Sequence, residues 1–133
     1  ATLQKIIDAD IHPGIAINPG TSVETVKELL RIVDRVLVMA VNPGNASQMF
    51  LPFVGEKIEQ LISLREKMGF ELFWDGACGA DKISRYAPHG VDGFVLGTTL
   101  LFNHKKSYKE IVEAVRKLDF GYLQGNLSER YAK

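Results

Sequence analysis

The segment Val36–Gln48, VLVMAVNPGNASQ, constrains the fold of this chain more than any other stretch. An apolar run rich in valine stops at Asn42-Pro43-Gly44, a loop of small residues follows, and a helix-forming segment begins near Leu51. That order describes a buried parallel strand feeding a loop whose backbone N–H groups can hold an anion. The pattern recurs at Glu71–Gly79, ELFWDGACG, and at Val91–Thr99, VDGFVLGTT. Three strand ends carrying Gly, Asp and Thr then line one face of one sheet. In parallel α/β proteins, ligands bind at the carboxyl ends of strands.

The rest of the chain reads as the same alternation. A helix end at Leu3–Asp8 leads into a short apolar strand, Gly14–Asn18. Pro19-Gly20-Thr21-Ser22 is a turn ending in helix N-cap residues. Val23, Val26, Leu29, Leu30 and Val33 follow at helical spacing, which predicts a buried stripe with Glu24, Lys27, Glu28 and Arg31 outside. Val36–Val41 is the second strand, and Pro52 suits the start of a helix running to about Met68, with Ile58, Leu61, Ile62 and Leu64 inward. Glu71–Trp74 is the third strand, and a short helix over Ala80–Tyr86 ends before the breakers Pro88 and Gly90. Gly93–Leu96 is the fourth strand, and Tyr108, Ile111, Val112, Val115 and Leu118 mark the last helix. Such alternation means parallel strands with right-handed crossovers, in a small open sheet or in half of an eight-stranded barrel.

Composition excludes several classes. Lysine plus arginine equals aspartate plus glutamate, 16 each in 133 residues, so no charge excess favours nucleic acid or an anionic membrane. No apolar run approaches the ~20 residues that span a bilayer, and the amino terminus shows no signal-peptide pattern. The single cysteine, Cys78, excludes an intrachain disulfide and a multi-cysteine zinc site, and it suits a reducing cytoplasm. The chain opens at Ala1 in what reads as the end of a helix, so a processed or truncated form of a longer protein is expected.

From about Asp8 to Leu118 the chain resembles the C-terminal half of the ribulose-phosphate 3-epimerase family. The resemblance rests on four motifs: GIAINPGT (Gly14–Thr21), VLVMAVNPGNASQMFLP (Val36–Pro52), WDGACG (Trp74–Gly79) and GVDGFVLGTTLLF (Gly90–Phe102). It implies an α/β fold of the ribulose-phosphate-binding (β/α)8 TIM-barrel type. Residues 1–118 would supply strands five to eight as four βα units, and residues 119–133 a C-terminal extension. The family are isomerases of carbohydrate metabolism, in the pentose phosphate pathway. They interconvert ribulose 5-phosphate and xylulose 5-phosphate by moving a proton off and onto C3 with two acid/base groups and a divalent metal, Zn, Fe, Mn or Co.

The resemblance also implies roles. Asp75 matches a family aspartate that is both proton carrier and metal ligand. Gly44, Asn45, Ala46 and Ser47, then Gly76 and Ala77, then Gly97, Thr98 and Thr99 match the backbone cradle for the substrate phosphate, and Met39 matches a residue packed beside the substrate. From the residues alone, Asp75 reads equally as a helix cap, and each glycine loop as an ordinary strand-to-helix turn. Cys78 reads as a small buried side chain, Trp74 as core, and His89 and His104 as loop residues.

The departures matter as much. The family's second acid/base aspartate and its histidine ligands lie on strands with no counterpart here. His12 precedes the first strand, at the wrong end of the sheet. The form Asp75-Gly76-Ala77-Cys78 with Gly97–Asn103 leans toward the allulose-6-phosphate 3-epimerase branch. A non-catalytic sugar-phosphate-binding half-barrel is the alternative, with an unrelated four-unit open sheet behind it. The expected partners are a phosphorylated ketose and either a second copy or a missing N-terminal half, because an apolar parallel edge is an aggregation template.

Overall fold

A computed structural model describes residues 1–44, 49–102 and 104–120. The elements run α1 (Thr2–Asp8), β1 (Gly14–Ile17), α2 (Val23–Val26), a 3-10 turn at Leu29–Arg31, β2 (Arg35–Met39), α3 (Phe53–Met68), β3 (Glu71–Asp75), α4 (Ala80–Tyr86), β4 (Gly93–Val95) and α5 (Tyr108–Lys117). The four strands form one parallel sheet in the order β1-β2-β3-β4. The fold is therefore α/β, with each strand beside its predecessor. Among the described residues no helix is long and apolar enough to cross a membrane.

Register divides the side chains into two sets. Ile17, Val38, Trp74 and Phe94 stand in one row across the sheet, with Val36 beside Leu72 in the row below. These residues meet Leu30, Val33, Val54, Ile58 and Leu61 in the main core. The alternate residues face the other way. Ala16, Leu37, Phe73 and Gly93 make one row there, and Met39, Asp75 and Val95 the next. This second face is only partly covered, and Val95 is 43% exposed. A Cβ at Gly93 would lie 2.7 Å from the Phe73 ring, so a larger residue there would have to push that ring aside. A smaller core joins Ala80 and Ile83 of α4 to Ile111 and Ala114 of α5, with Leu100 and Phe120. The expected extension beyond Phe120 lies outside the described residues.

Local chemistry explains most element ends. The Ser22 hydroxyl accepts from Thr25 N–H at the start of α2. Ser107 and Glu110 form a full capping box on α5. Gly69, in the left-handed region, closes α3. The helix predicted through Val33 is instead split. Lys27 and Leu30 donate to carbonyls three residues back, the bonding of a 3-10 turn. Val23, Thr25 and Val26 are β-branched and weak helix formers. Leu29, predicted in the buried stripe, is 39% exposed as a result.

The amino end of the sheet is held by charge. Arg65 of α3 donates from Nε to Asp92 Oδ2 at 2.7 Å, and a second guanidinium nitrogen donates to Oδ1. Asp92 Oδ2 also accepts Leu72 N–H at 2.8 Å, while Asp92 N–H donates to Leu72 O. Burial opposes ionisation of Asp92, but its bonds to Arg65 and Leu72 outweigh that and hold its pKa below the usual carboxylate range. Arg35 pairs with Glu71 in the row below and lies 4.3 Å over the Phe73 ring. His12 pairs with Asp34 at 2.7 Å at this same end, 94% exposed.

Asp92→Ala should lower the unfolding free energy by about 1–2 kcal/mol, the scale of a charged hydrogen-bonded pair at a part-exposed site. Because the folded-state pKa lies below the unfolded one, this contribution is complete above about pH 5 and is lost as pH falls through the folded-state value. Urea denaturation of both proteins between neutral and acid pH checks it: the gap between them should close at low pH.

Candidate functional site

Each crossover returns the chain to the same end of the sheet, so the loops after β2, β3 and β4 meet at its carboxyl end. There they enclose a cavity of about 450 Å³. Of the residues singled out from the sequence, Met39, Gly44, Asp75, Gly76, Ala77, Gly97, Thr98 and Thr99 all line it. Asn45, Ala46 and Ser47 lie outside the described residues. The cavity also takes in Val41, Asn42, Pro43, Cys78, Val95 and Phe102. Val95 stands in register with Asp75 and so shares its face, which the strand pairing decides. Phe102 arrives through a local turn in which Leu101 and Phe102 N–H both donate to Gly97 O.

Asp75 ends β3 between Met39 of β2 and Val95 of β4. Its carboxylate therefore stands against an apolar wall on both sides. It is the one acidic side chain lining the cavity among the described residues. The helix-cap reading of Asp75 does not apply: α4 starts five residues on, with Gly79 as N-cap and no side-chain cap bond.

The loop after β3 is tightly specified. Gly76 has φ +102°, and a Cβ there would sit 2.8 Å from Val41 Cγ2. Ala77 follows with φ +50°, a left-handed conformation unusual for a residue with a side chain. Gly79 N–H donates to Ala77 O at 2.9 Å. Beneath the loop, Trp74 is 1% exposed. Its ring is stacked with Phe50 at 5.5 Å and packed against Tyr86 at 5.0 Å and Phe94 at 6.1 Å. Lys82 of α4 stands 4.3 Å over the Phe50 ring, tying the approach to α3 to this cluster.

The carboxyl end of β1 is held differently. Lys57 of α3, 8% exposed, donates to Asn18 O at 2.9 Å and Pro19 O at 2.7 Å. Burial lowers its pKa. The sequence offers no hint of this, because Lys57 looks like any solvated helix lysine.

The family model described as "Ribulose-phosphate 3 epimerase family" matches residues 1–101. The chain belongs to the ribulose-phosphate 3-epimerase family. It is similar to the ribulose-phosphate 3-epimerase of Escherichia coli K12, 29% identical over 117 residues, covering 86% of this chain and 51% of that protein. It is 36% identical to that of Helicobacter pylori J99 over 119 residues, 87% of this chain and 54% of the relative. With that of Aquifex aeolicus the identity is 31% over 121 residues, 88% and 51%. The chain spans about half the length of the curated relatives it matches.

The metal associated with this family meets a thin donor set here. Asp75 supplies hard oxygen donors, but no group of three or more His, Cys, Asp or Glu residues able to hold a metal ion occurs among the described residues. These residues do not by themselves make a metal site. His12 is at the opposite end of the sheet, His89 pairs with Glu59 at 2.7 Å on the surface, and His104 reaches only Thr99 O at 3.4 Å.

Cys78 is 2% exposed, with Sγ 3.6 Å from Trp74 O. Burial, with the nearby Asp75 charge, pushes its thiol up to about 12. It is thus a packed thiol and no nucleophile. A disulfide-exchange reagent at pH 8 should leave the native protein unlabelled over minutes and react at once after denaturation. Fast native labelling would mean the β3 loop opens.

Proposed function

We propose that this chain carries the phosphate-binding loops and one acid/base carboxylate of a ketose-phosphate 3-epimerase, acting on ribulose 5-phosphate. The observation that carries the reading is the placement of Asp75 in the apolar row Met39–Asp75–Val95, on the floor of a cavity rimmed by Gly44, Gly76, Ala77 and Gly97–Thr99. Family membership supports the same chemistry.

In this reading the loops after β2, β3 and β4 bind the phosphate through backbone N–H groups, with Asn45, Ala46 and Ser47 completing the first of them. That contact fixes the sugar so that C3 lies over the Asp75 carboxylate. Met39 and Val95 flank the carboxylate, which takes the proton from the face of C3 that it meets. Removal from one face and return to the other require a second acid/base group opposite Asp75, and no other acid lines the cavity among the described residues. A divalent metal of the kind the family uses would need donors from outside the described residues besides Asp75.

The second group and those donors would come with a further set of βα units that closes the sheet into a barrel, with the present strands as five to eight. An N-terminal half or a second copy could supply them. The partly covered row of Ala16, Leu37, Phe73 and Gly93 supports this, since a barrel interior would bury it. A cytoplasmic setting fits a phosphorylated sugar. The lone carboxylate among the described cavity residues favours one other reading, a half-barrel that binds sugar phosphate without turning it over.

Exchange of the C3 hydrogen of ribulose 5-phosphate with deuterated solvent, with divalent metal added and native size measured alongside, tests the proposal. Asp75→Asn should reduce exchange by about 10²–10⁴-fold, the scale of a positioned acid/base group, and leave inorganic phosphate binding intact. Full exchange by the variant would remove Asp75 from the chemistry. Phosphate binding with no exchange in the unaltered protein would select the binding module.

A further inference from the structure

Trp74 lies on the helix-covered face of the sheet, one residue before Asp75, and so points away from the cavity. Yet its indole Nε1–H donates to Gly76 O at 2.7 Å, reaching up to the loop that lines the cavity. A trans peptide is planar, so the C=O of one residue and the N–H of the next point in opposite directions. Drawing the Gly76 carbonyl down toward the indole therefore turns the Ala77 N–H up, away from the core and toward the cavity.

Backbone conformation agrees with that orientation. Gly76 and Ala77 both hold positive φ, +102° and +50°. For Ala77 this conformation is unfavourable by itself and needs surrounding contacts to hold it. The indole bond is the short contact on the Gly76 carbonyl, with Cys78 Sγ farther off at 3.9 Å, and Gly79 N–H to Ala77 O closes the loop on its other side. The indole cannot swing, because Phe50, Tyr86 and Phe94 pack around it.

We propose that Trp74 is a positioning residue: its indole N–H sets the Gly76–Ala77 peptide so that the Ala77 N–H serves as a donor to the substrate phosphate. The inference rests on the phosphate-site reading above and deepens it by naming what holds one donor in place. A residue that only filled the core would contribute through ring volume, and its N–H would affect stability but not the ligand. The two roles separate when the ring is kept and the N–H removed.

The test compares three versions of the protein, with tryptophan, 5-fluorotryptophan or β-(3-benzothienyl)alanine introduced at position 74. The second keeps the N–H. The third replaces it with sulfur in a ring of nearly the same shape. Inorganic phosphate is the probe, and backbone amide shifts and the dissociation constant are the readouts. The benzothienyl protein should bind phosphate about tenfold more weakly, the scale of one well-placed hydrogen bond. Its Ala77 amide should shift even without phosphate, while the fluorinated protein matches the unmodified one. Should the benzothienyl analogue change the wider fold, Trp74→Phe and Trp74→His, the latter restoring a ring N–H, give the same comparison. Equal affinity with an unmoved Ala77 amide overturns the positioning role and leaves the phosphate site standing. Absence of any phosphate-dependent shift at Ala77, Gly97 or Thr98 in the unmodified protein overturns the site reading, and the inference falls with it.

Discussion

A parallel ladder in which Val38, Trp74 and Phe94 occupy one row, and Met39, Asp75 and Val95 the next, governs the arrangement of this molecule. Side chains alternate along a strand with a period of two, so a slip of one residue would exchange the rows. Trp74 would then face the cavity and Asp75 the core, where an unpaired carboxylate is strongly disfavoured. The register is held by apolar burial at one face and by Arg65–Asp92–Leu72 at the amino end. The cavity at the other end inherits its geometry from that.

The two ends of the sheet divide the labour. At the amino end, charges are matched: Arg65 with Asp92, Arg35 with Glu71, and His12 with Asp34. These pairs hold strands and helices together and leave little for a ligand. At the carboxyl end, small residues in positive-φ conformations expose backbone, and a carboxylate stands in an apolar row. Strain is tolerated there because the loop is held from beneath by the indole of Trp74 and from beside by Val41. Strained loops on a rigid scaffold are where binding and catalysis concentrate in α/β proteins.

Family membership and geometry bear on different questions. The match over residues 1–101 says which chemistry this scaffold is related to. The geometry says which groups these residues bring together: glycine-bearing loops and one carboxylate around a cavity, with no cluster of metal ligands among the described residues. A two-base proton transfer needs groups on opposite faces of the substrate. A single sheet edge presents only one of those faces, and this follows from the layout whatever the identity of the sugar.

Much was legible in the sequence because the signals are local. Apolar runs ending in Asn42-Pro43-Gly44, Gly76 and Gly97 mark strands and their turns, and alternation of strand and helix requires the loops to share one end of the sheet. Asp75 was visible as the acid in that set. Tertiary structure alone decided the rest. Nothing local separates Lys57, buried on the carbonyls of Asn18 and Pro19, from its exposed neighbours in α3. The bond from Trp74 to Gly76 was equally silent. Each depends on where the chain lies after the strands have paired. Composition and periodicity report how a segment meets water and its near neighbours, whereas contacts across the sheet depend on register, which only the assembled core sets.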